Sequence, residues 1–369
     1  MKTKEKTGMK RAVTWSLALV FVLSMVGMGL AADQKIVKIP TCWMDESPAF
    51  NPWYAKKMGW DKEEGLDIEM ILFSSGPAQM EALPAKQWVL GATSVGGQLI
   101  GGMRYKISVV APLLSEEEVS CLYVRPDSPI LKDKGFNPQF KDVFGSPTTV
   151  KGVNVLLTSQ TTVHYVTGRW LGAFGLKDSD ATLTNMEQAS IIPAFEKGIG
   201  DVAALWAPFT FAAESRGWKK VASSGTAKAF TASMIVGDRD WCEQNPELVA
   251  KFLRVIYRVN NFIEQEKASP KLIKVYQEFL LDFCGTKMSE KDAKNDLVVH
   301  PRWSLQEGIK LSDGSKGPSQ EAIWLIEAAD FFASVGRFSK EEVDYFKKQN
   351  LVTDKFLKLA AEKPLLPVK

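Results

Sequence analysis

Thr158-Ser159-Gln160-Thr161-Thr162-Val163-His164-Tyr165 follows the apolar run 153–157 and opens a helical pattern that continues to residue 174. A strand feeding a helix with several hydroxyls in its first turn leaves backbone N–H groups unpaired there, at the positive end of the helix dipole. Two roles are compatible with this chemistry. Ser159 or Thr161 can cap its own helix, or the turn can receive the polar head of a ligand. The choice depends on whether other turns come to the same place.

Upstream, short apolar strands at 36–39, 66–73, 89–92 and 107–114 alternate with helical stretches, Ser47 and Pro48 marking the first helix start. Downstream, strands at 153–157, 181–185, 202–206 and 220–222 alternate with helices at 162–174, 188–197 and 208–216. This rhythm predicts an α/β fold of two lobes, each a mainly parallel sheet flanked by helices. The strand 119–124 ends in Arg125-Pro126-Asp127, read as a crossing out of the first lobe, and 229–236 reads as the return. Beyond Asp238 the pattern is helical at 247–266, 271–282, 290–297, 319–335 and 340–348. The expected division is 32–124 plus 227–369 for lobe 1 and 125–226 for lobe 2, with two crossovers side by side as a hinge. In such sheets ligands sit beyond the carboxyl ends of the strands, so the turns 43–47, 74–76 and 93–97 should converge on the 158–165 turn.

The first 31 residues read as an address. Lys2, Lys4, Lys6, Lys10 and Arg11 precede a largely apolar run over 12–30 and the small-residue exit Gly29-Leu30-Ala31, the pattern of a cleaved signal peptide. The run is also long enough for a retained membrane anchor, which stays as the second reading. Removing 1–31 takes away a net charge of +4, so the full chain's +3 becomes −1. Nothing in the remainder calls for a nucleic-acid partner. Cys42, Cys121, Cys242 and Cys284 are widely spaced, which favours buried thiols over a disulfide framework and leaves any pairing open. With only His164 and His300 a metal cluster is not expected, and no cofactor is expected either. A nucleophile elbow and a phosphate-cradling glycine loop are absent, so the chain is not read as an enzyme.

Four segments carry a resemblance: Phe73-Ser74-Ser75-Gly76-Pro77-Ala78-Gln79-Met80-Glu81, Lys151-Gly152-Val153-Asn154-Val155, Thr161-Thr162-Val163-His164-Tyr165, and Ala194-Phe195-Glu196-Lys197-Gly198 through Trp206-Ala207-Pro208-Phe209. In this order and spacing they resemble the nitrate/sulfonate/taurine group of ABC-transporter substrate-binding proteins, which includes binders of thiamine-pyrimidine precursors. The resemblance implies the type 2 periplasmic binding fold, a small-molecule ligand and a membrane permease as partners, a periplasmic location, and a monomer. Three departures bear on the ligand, one being Val89-Leu90-Gly91, which lacks the acidic residue common in the family before that glycine. Ser159-Gln160 stands where the family usually has a glycine-serine pair. Ala207 stands where many members place a carboxylate between tryptophan and proline.

The candidate ligand-binding residues are Trp43, Met44, Ser74, Ser75, Gly76, Thr93, Ser94, Thr161, Thr162, His164, Trp206 and Phe209. Thr161 and Thr162 are read as holding the head of a small organic anion, sulfonate- or carboxylate-like, with Trp43 and Trp206 covering its apolar part. Asp45 and Glu46 are read as complements to the first helix dipole, with contact to a ligand ammonium as their second reading, and Glu116-Glu117-Glu118 as a solvated run. The expected function is capture of the solute for an ABC importer. The alternatives are a periplasmic sensor or interaction protein, and a binder of a pyrimidine or an amine-containing solute.

Overall fold

Ten strands are found in the computed structural model, which describes residues 36–368: β1 (Val37–Trp43), β2 (Leu66–Leu72), β3 (Leu90–Thr93), β4 (Ile107–Ser115), β5 (Ser120–Val124), β6 (Asn154–Leu157), β7 (Thr182–Asn185), β8 (Val202–Trp206), β9 (Lys219–Ser223) and β10 (Ala232–Asp238). The signal segment expected at 1–31 lies outside the described residues. The strands form two five-stranded sheets, ordered β2-β1-β3-β10-β4 and β7-β6-β8-β5-β9. β1 runs parallel to β3, and β6 parallel to β7 and β8. In each sheet one strand is reversed: β10 is antiparallel to β3 and β4, and β5 to β8 and β9.

The reversed strands correct the reading of the first crossing. Residues 119–124 were expected to end the first lobe, but β5 pairs inside the second sheet. The chain therefore passes between sheets at 116–119, and Arg125 lies past the crossing. Arg125 instead donates to the carbonyls of Phe195 and Gly200 at 2.9 Å each and lies 4.0 Å over the Phe195 ring. The two crossing segments are tied together: Glu116 N–H donates to Thr231 O at 3.2 Å, and Gly225 N–H to Glu117 O at 2.7 Å.

Three helices start at the carboxyl ends of strands: α1 (Phe50–Met58) and α2 (Gly76–Ala82) after β1 and β2, and α3 (Val95–Arg104) after β3. In the second lobe α4 (Thr162–Gly172), α5 (Gln188–Glu196) and α6 (Phe209–Ser215) follow β6, β7 and β8. The carboxyl-terminal part returns to the first lobe as α7 (Pro246–Glu266), α8 (Pro270–Asp282), α9 (Glu290–Val299), α10 (Leu305–Ser312), α11 (Gln320–Ser334), α12 (Lys340–Lys348) and α13 (Lys355–Ala361). Periodicity predicts all of these except α10 and α13. Aromatic packing anchors α1: Tyr54 stacks on Phe262 of α7 at 4.4 Å, and Phe50 meets Tyr276 of α8 edge-on at 5.0 Å.

The interior is not divided at the lobe boundary. One cluster of buried apolar side chains runs from Leu99 and Met103 on α3, through Leu325 and Phe332 on α11, to Val163 and Val166 on α4. Gly168 permits this contact, because a Cβ there would come 1.9 Å from the Phe331 ring. Thus α11, packed on α3 and α12, also lies across the first turns of α4.

Candidate ligand-binding site

Two helix starts face each other across the gap between the sheets. Ser94 occupies the cap position of α3, and Thr161 that of α4; neither side chain bonds to its own helix's N–H groups. The Ser94 hydroxyl donates instead to Glu116 Oε1 at 2.5 Å, and the Thr161 hydroxyl to Thr158 O at 2.7 Å. The first N–H groups of both helices are therefore open to the gap. The lobes touch at this point. A Cβ on Gly96 would stand 2.1 Å from Gln160 O, so glycine allows the start of α3 to meet the turn before α4. Gln160 itself has a φ of 59°, the left-handed region that glycine prefers.

Around this contact is a cavity lined by Met44, Glu46, Gly76, Pro77, Ser94, Gly96, Gly97, Glu116, Val119, Ser120, Thr161, Thr162 and Trp206. Its volume is about 30 Å³. Small-molecule sites span roughly 300–1,000 Å³, so the slit as it stands is too narrow for a solute and would have to open to admit one.

The sequence-predicted residues divide clearly. Met44, Gly76, Ser94, Thr161, Thr162 and Trp206 line the cavity. Ser75 caps α2 through Ala78 N–H at 3.4 Å, and Ser74 is exposed beside it. Thr93 is fully buried behind the wall, its hydroxyl directed at Gly76 and Gly97. Three expectations are corrected. Trp43 is core: fully buried, it donates to Thr41 Oγ1 at 2.6 Å and packs on Phe252. His164 is also fully buried, accepting from Gln160 N–H at Nδ1 (3.1 Å) and bonding Asp178 through Nε2 (2.8 Å). It fixes the turn rather than touching a ligand. Phe209 is partly buried against the cluster that includes Phe195 and lines a separate groove with Ile192 and Met288.

The site also contains what sequence reading placed elsewhere. Of the run 116–118, Glu117 and Glu118 are exposed, but Glu116 is only 4% exposed. Its Oε2 is buried with no hydrogen-bond partner. Glu46, 8% exposed, makes no side-chain hydrogen bond among the described residues. Burial pushes the Glu46 carboxyl well above the usual range, and Glu116, Asp45 and Asp296 push it further. Burial also raises Glu116, offset in part by the Ser94 hydrogen bond and by His300. No lysine or arginine lines the cavity. The strand-end position of Glu116 was the available signal: a charged residue directly after the apolar run 107–115 sits where the sheet ends open into a cleft.

The four thiols are unpaired among the described residues, three of them buried, and burial raises all four. No group of three His, Cys, Asp or Glu side chains among those residues is placed to hold a metal ion.

A family model described as the NMT1-like family matches residues 41–277, more than half of the chain. The chain belongs to the NMT1-like family. A protein of Brachyspira hyodysenteriae named as an ABC transporter periplasmic binding protein is 25% identical over 77% of this chain and 78% of its own length. A Bacillus subtilis protein named as an aliphatic sulfonates-binding protein is 24% identical over 67% of this chain and 72% of its own. Among solved structures, the alkanesulfonate-binding protein SsuA of Xanthomonas axonopodis pv. citri, bound to MOPS, has a TM-score of 0.64 at 17% identity, over 84% of this chain and 96% of that one. This NMT1-like chain therefore has the two-lobed fold of periplasmic binding proteins, as the resemblance implies. No helix of the described residues is long and apolar enough to cross a membrane.

Proposed function

We propose that this protein is the extracytoplasmic solute-binding component of an ABC importer, holding a small organic solute with a sulfonate- or carboxylate-like head between its lobes and presenting the closed form to a permease. The observation that carries the reading is the pair of open helix starts, Ser94–Gly97 on one lobe and Thr161–Thr162 on the other, meeting at one cavity. Unpaired N–H groups at two helix starts favour an anionic group without any basic side chain. Trp206, half-buried at the end of β8, offers an apolar wall. Binding closes the lobes because the solute touches both, and that difference in contact between open and closed forms is what shifts the population. The names of the relatives support the transport role and a periplasmic location. The relatives' names, those of binding proteins, suit capture without chemistry.

The test is a thermal-shift screen of small sulfonates and carboxylates, followed by calorimetry on Thr161→Ala/Thr162→Ala. The double variant should bind at least about tenfold more weakly, a loss of about 1.4 kcal/mol. Unchanged affinity would remove the start of α4 from the site.

A further inference from the structure

Resting on the solute-binding reading above, we infer that the ligand of the cleft carries a protonated amine seated on Glu46 and Glu116, so that it is a small zwitterion, an amino sulfonate or amino carboxylate, rather than a plain organic anion. Glu116 is 96% hidden from solvent, and only one of its carboxylate oxygens is used, by Ser94. The other, Oε2, has no partner at hydrogen-bond distance, and the Thr231 hydroxyl beside this carboxylate is likewise unpaired. A buried carboxylate oxygen is ordinarily hydrogen-bonded, so an orphan at a cavity wall marks a donor still to arrive. Glu46 contributes a second carboxylate to the same wall, also without a side-chain hydrogen bond among the described residues.

The surroundings of the pair make an empty site unfavourable. Asp45 and Asp296 add negative charge beside Glu46, and His300 stands near Glu116. Arg302, close to His300 in sequence, donates from its two terminal nitrogens to His300 O and Ser47, and its Nε is buried without a partner. Burial raises both carboxyls, and an arriving ammonium reverses that by supplying charge and up to three N–H donors. A metal ion fits less well, because no third ligating side chain joins the pair among the described residues. The opposite wall suits the other end of a zwitterion, since Thr162 and the start of α4 offer N–H groups and no carboxylate.

The experiment compares three probes of one size on the wild-type protein by calorimetry and thermal shift: 2-aminoethanesulfonate, 2-hydroxyethanesulfonate and 2-aminoethanol, with their three-carbon homologues. The amino sulfonate should bind at least about tenfold tighter than its hydroxyl counterpart, and Glu116→Gln with Glu46→Gln should erase that preference. Equal or tighter binding of the hydroxyl sulfonate would overturn the amine inference and leave the solute-binding reading standing. Tight binding of the amino alcohol alone would support the amine seat and count against the anionic head. No binding of any probe would count against both. The comparison within the wild type needs no variant, so it decides even if a glutamine variant folds poorly.

Discussion

Gln160 carries a cost that its position explains. Its φ of 59° disfavours any side chain by about 1–2 kcal/mol, yet its carbonyl must turn toward Gly96 to close the cleft. Gln160→Gly should therefore stabilise the protein by about 0.5–1 kcal/mol, less than the strain because glycine also gains freedom in the unfolded chain. Urea denaturation reads this directly, and a loss of stability would show that the side chain holds the turn. Glu321 gives a second expectation. Fully buried at the start of α11 and bonded to Ser312, its carboxyl is raised by burial from 4.5 to about 8. The folded state then holds a proton that the unfolded state has lost. The associated stability is complete below about pH 4.5 and falls as pH rises toward 8, by up to about 1.4 kcal/mol per pH unit. Glu321→Gln should flatten that slope between pH 5 and 8, measured by urea melts across the range; an unchanged slope would assign the pH dependence to other groups. Glu116 shows what single residues conceal. Three consecutive glutamates suggest solvent, and only the four-residue crossing, visible in three dimensions, turns the first of them inward.

Helix starts decide the site at the next scale. The hydroxyl-rich turn before α4 was legible because strand, turn and helix period coincide, and the same holds for Ser94 ahead of α3. Trp43 was misplaced because β1 runs four residues further than its alternation shows, which carries the ring into the sheet's packed face. The direction of β5 was hidden for a related reason: apolar content marks a strand but not which sheet it joins. The contact between α3 and the α4 turn yields a prediction at this scale. Gly96→Ala places a methyl carbon 2.1 Å from Gln160 O across the gap. Because the clash is between lobes, the open form tolerates it. Solute binding should fall at least about tenfold while the unliganded melting temperature moves by no more than a few degrees. Full binding by the variant would mean that closure does not use this contact.

At the scale of the molecule, the lobes are joined by more than their two crossings. α11 packs on α3 in the first lobe and sets Phe331 and Phe332 against Tyr165 and His164 in the second, with ring centroids 5.2 and 5.4 Å apart. Phe332 is 1% exposed, so Phe332→Ala should cost about 3–5 kcal/mol and loosen both lobes in one transition. Two separate unfolding transitions in the variant would show that the helix holds the lobes together without sharing their core. Sequence periodicity located this helix well, but its role depends on Gly168, whose missing side chain makes room for it.

The central claim is that one solute is held by both lobes at once. Hydrogen–deuterium exchange, with and without the most stabilising probe of the amine and sulfonate series, tests it most directly. The account predicts that peptides covering residues 93–98, 116–120 and 158–165 gain protection together. Protection confined to one lobe, or to the groove formed by residues 312–326 and 346–358, would contradict it.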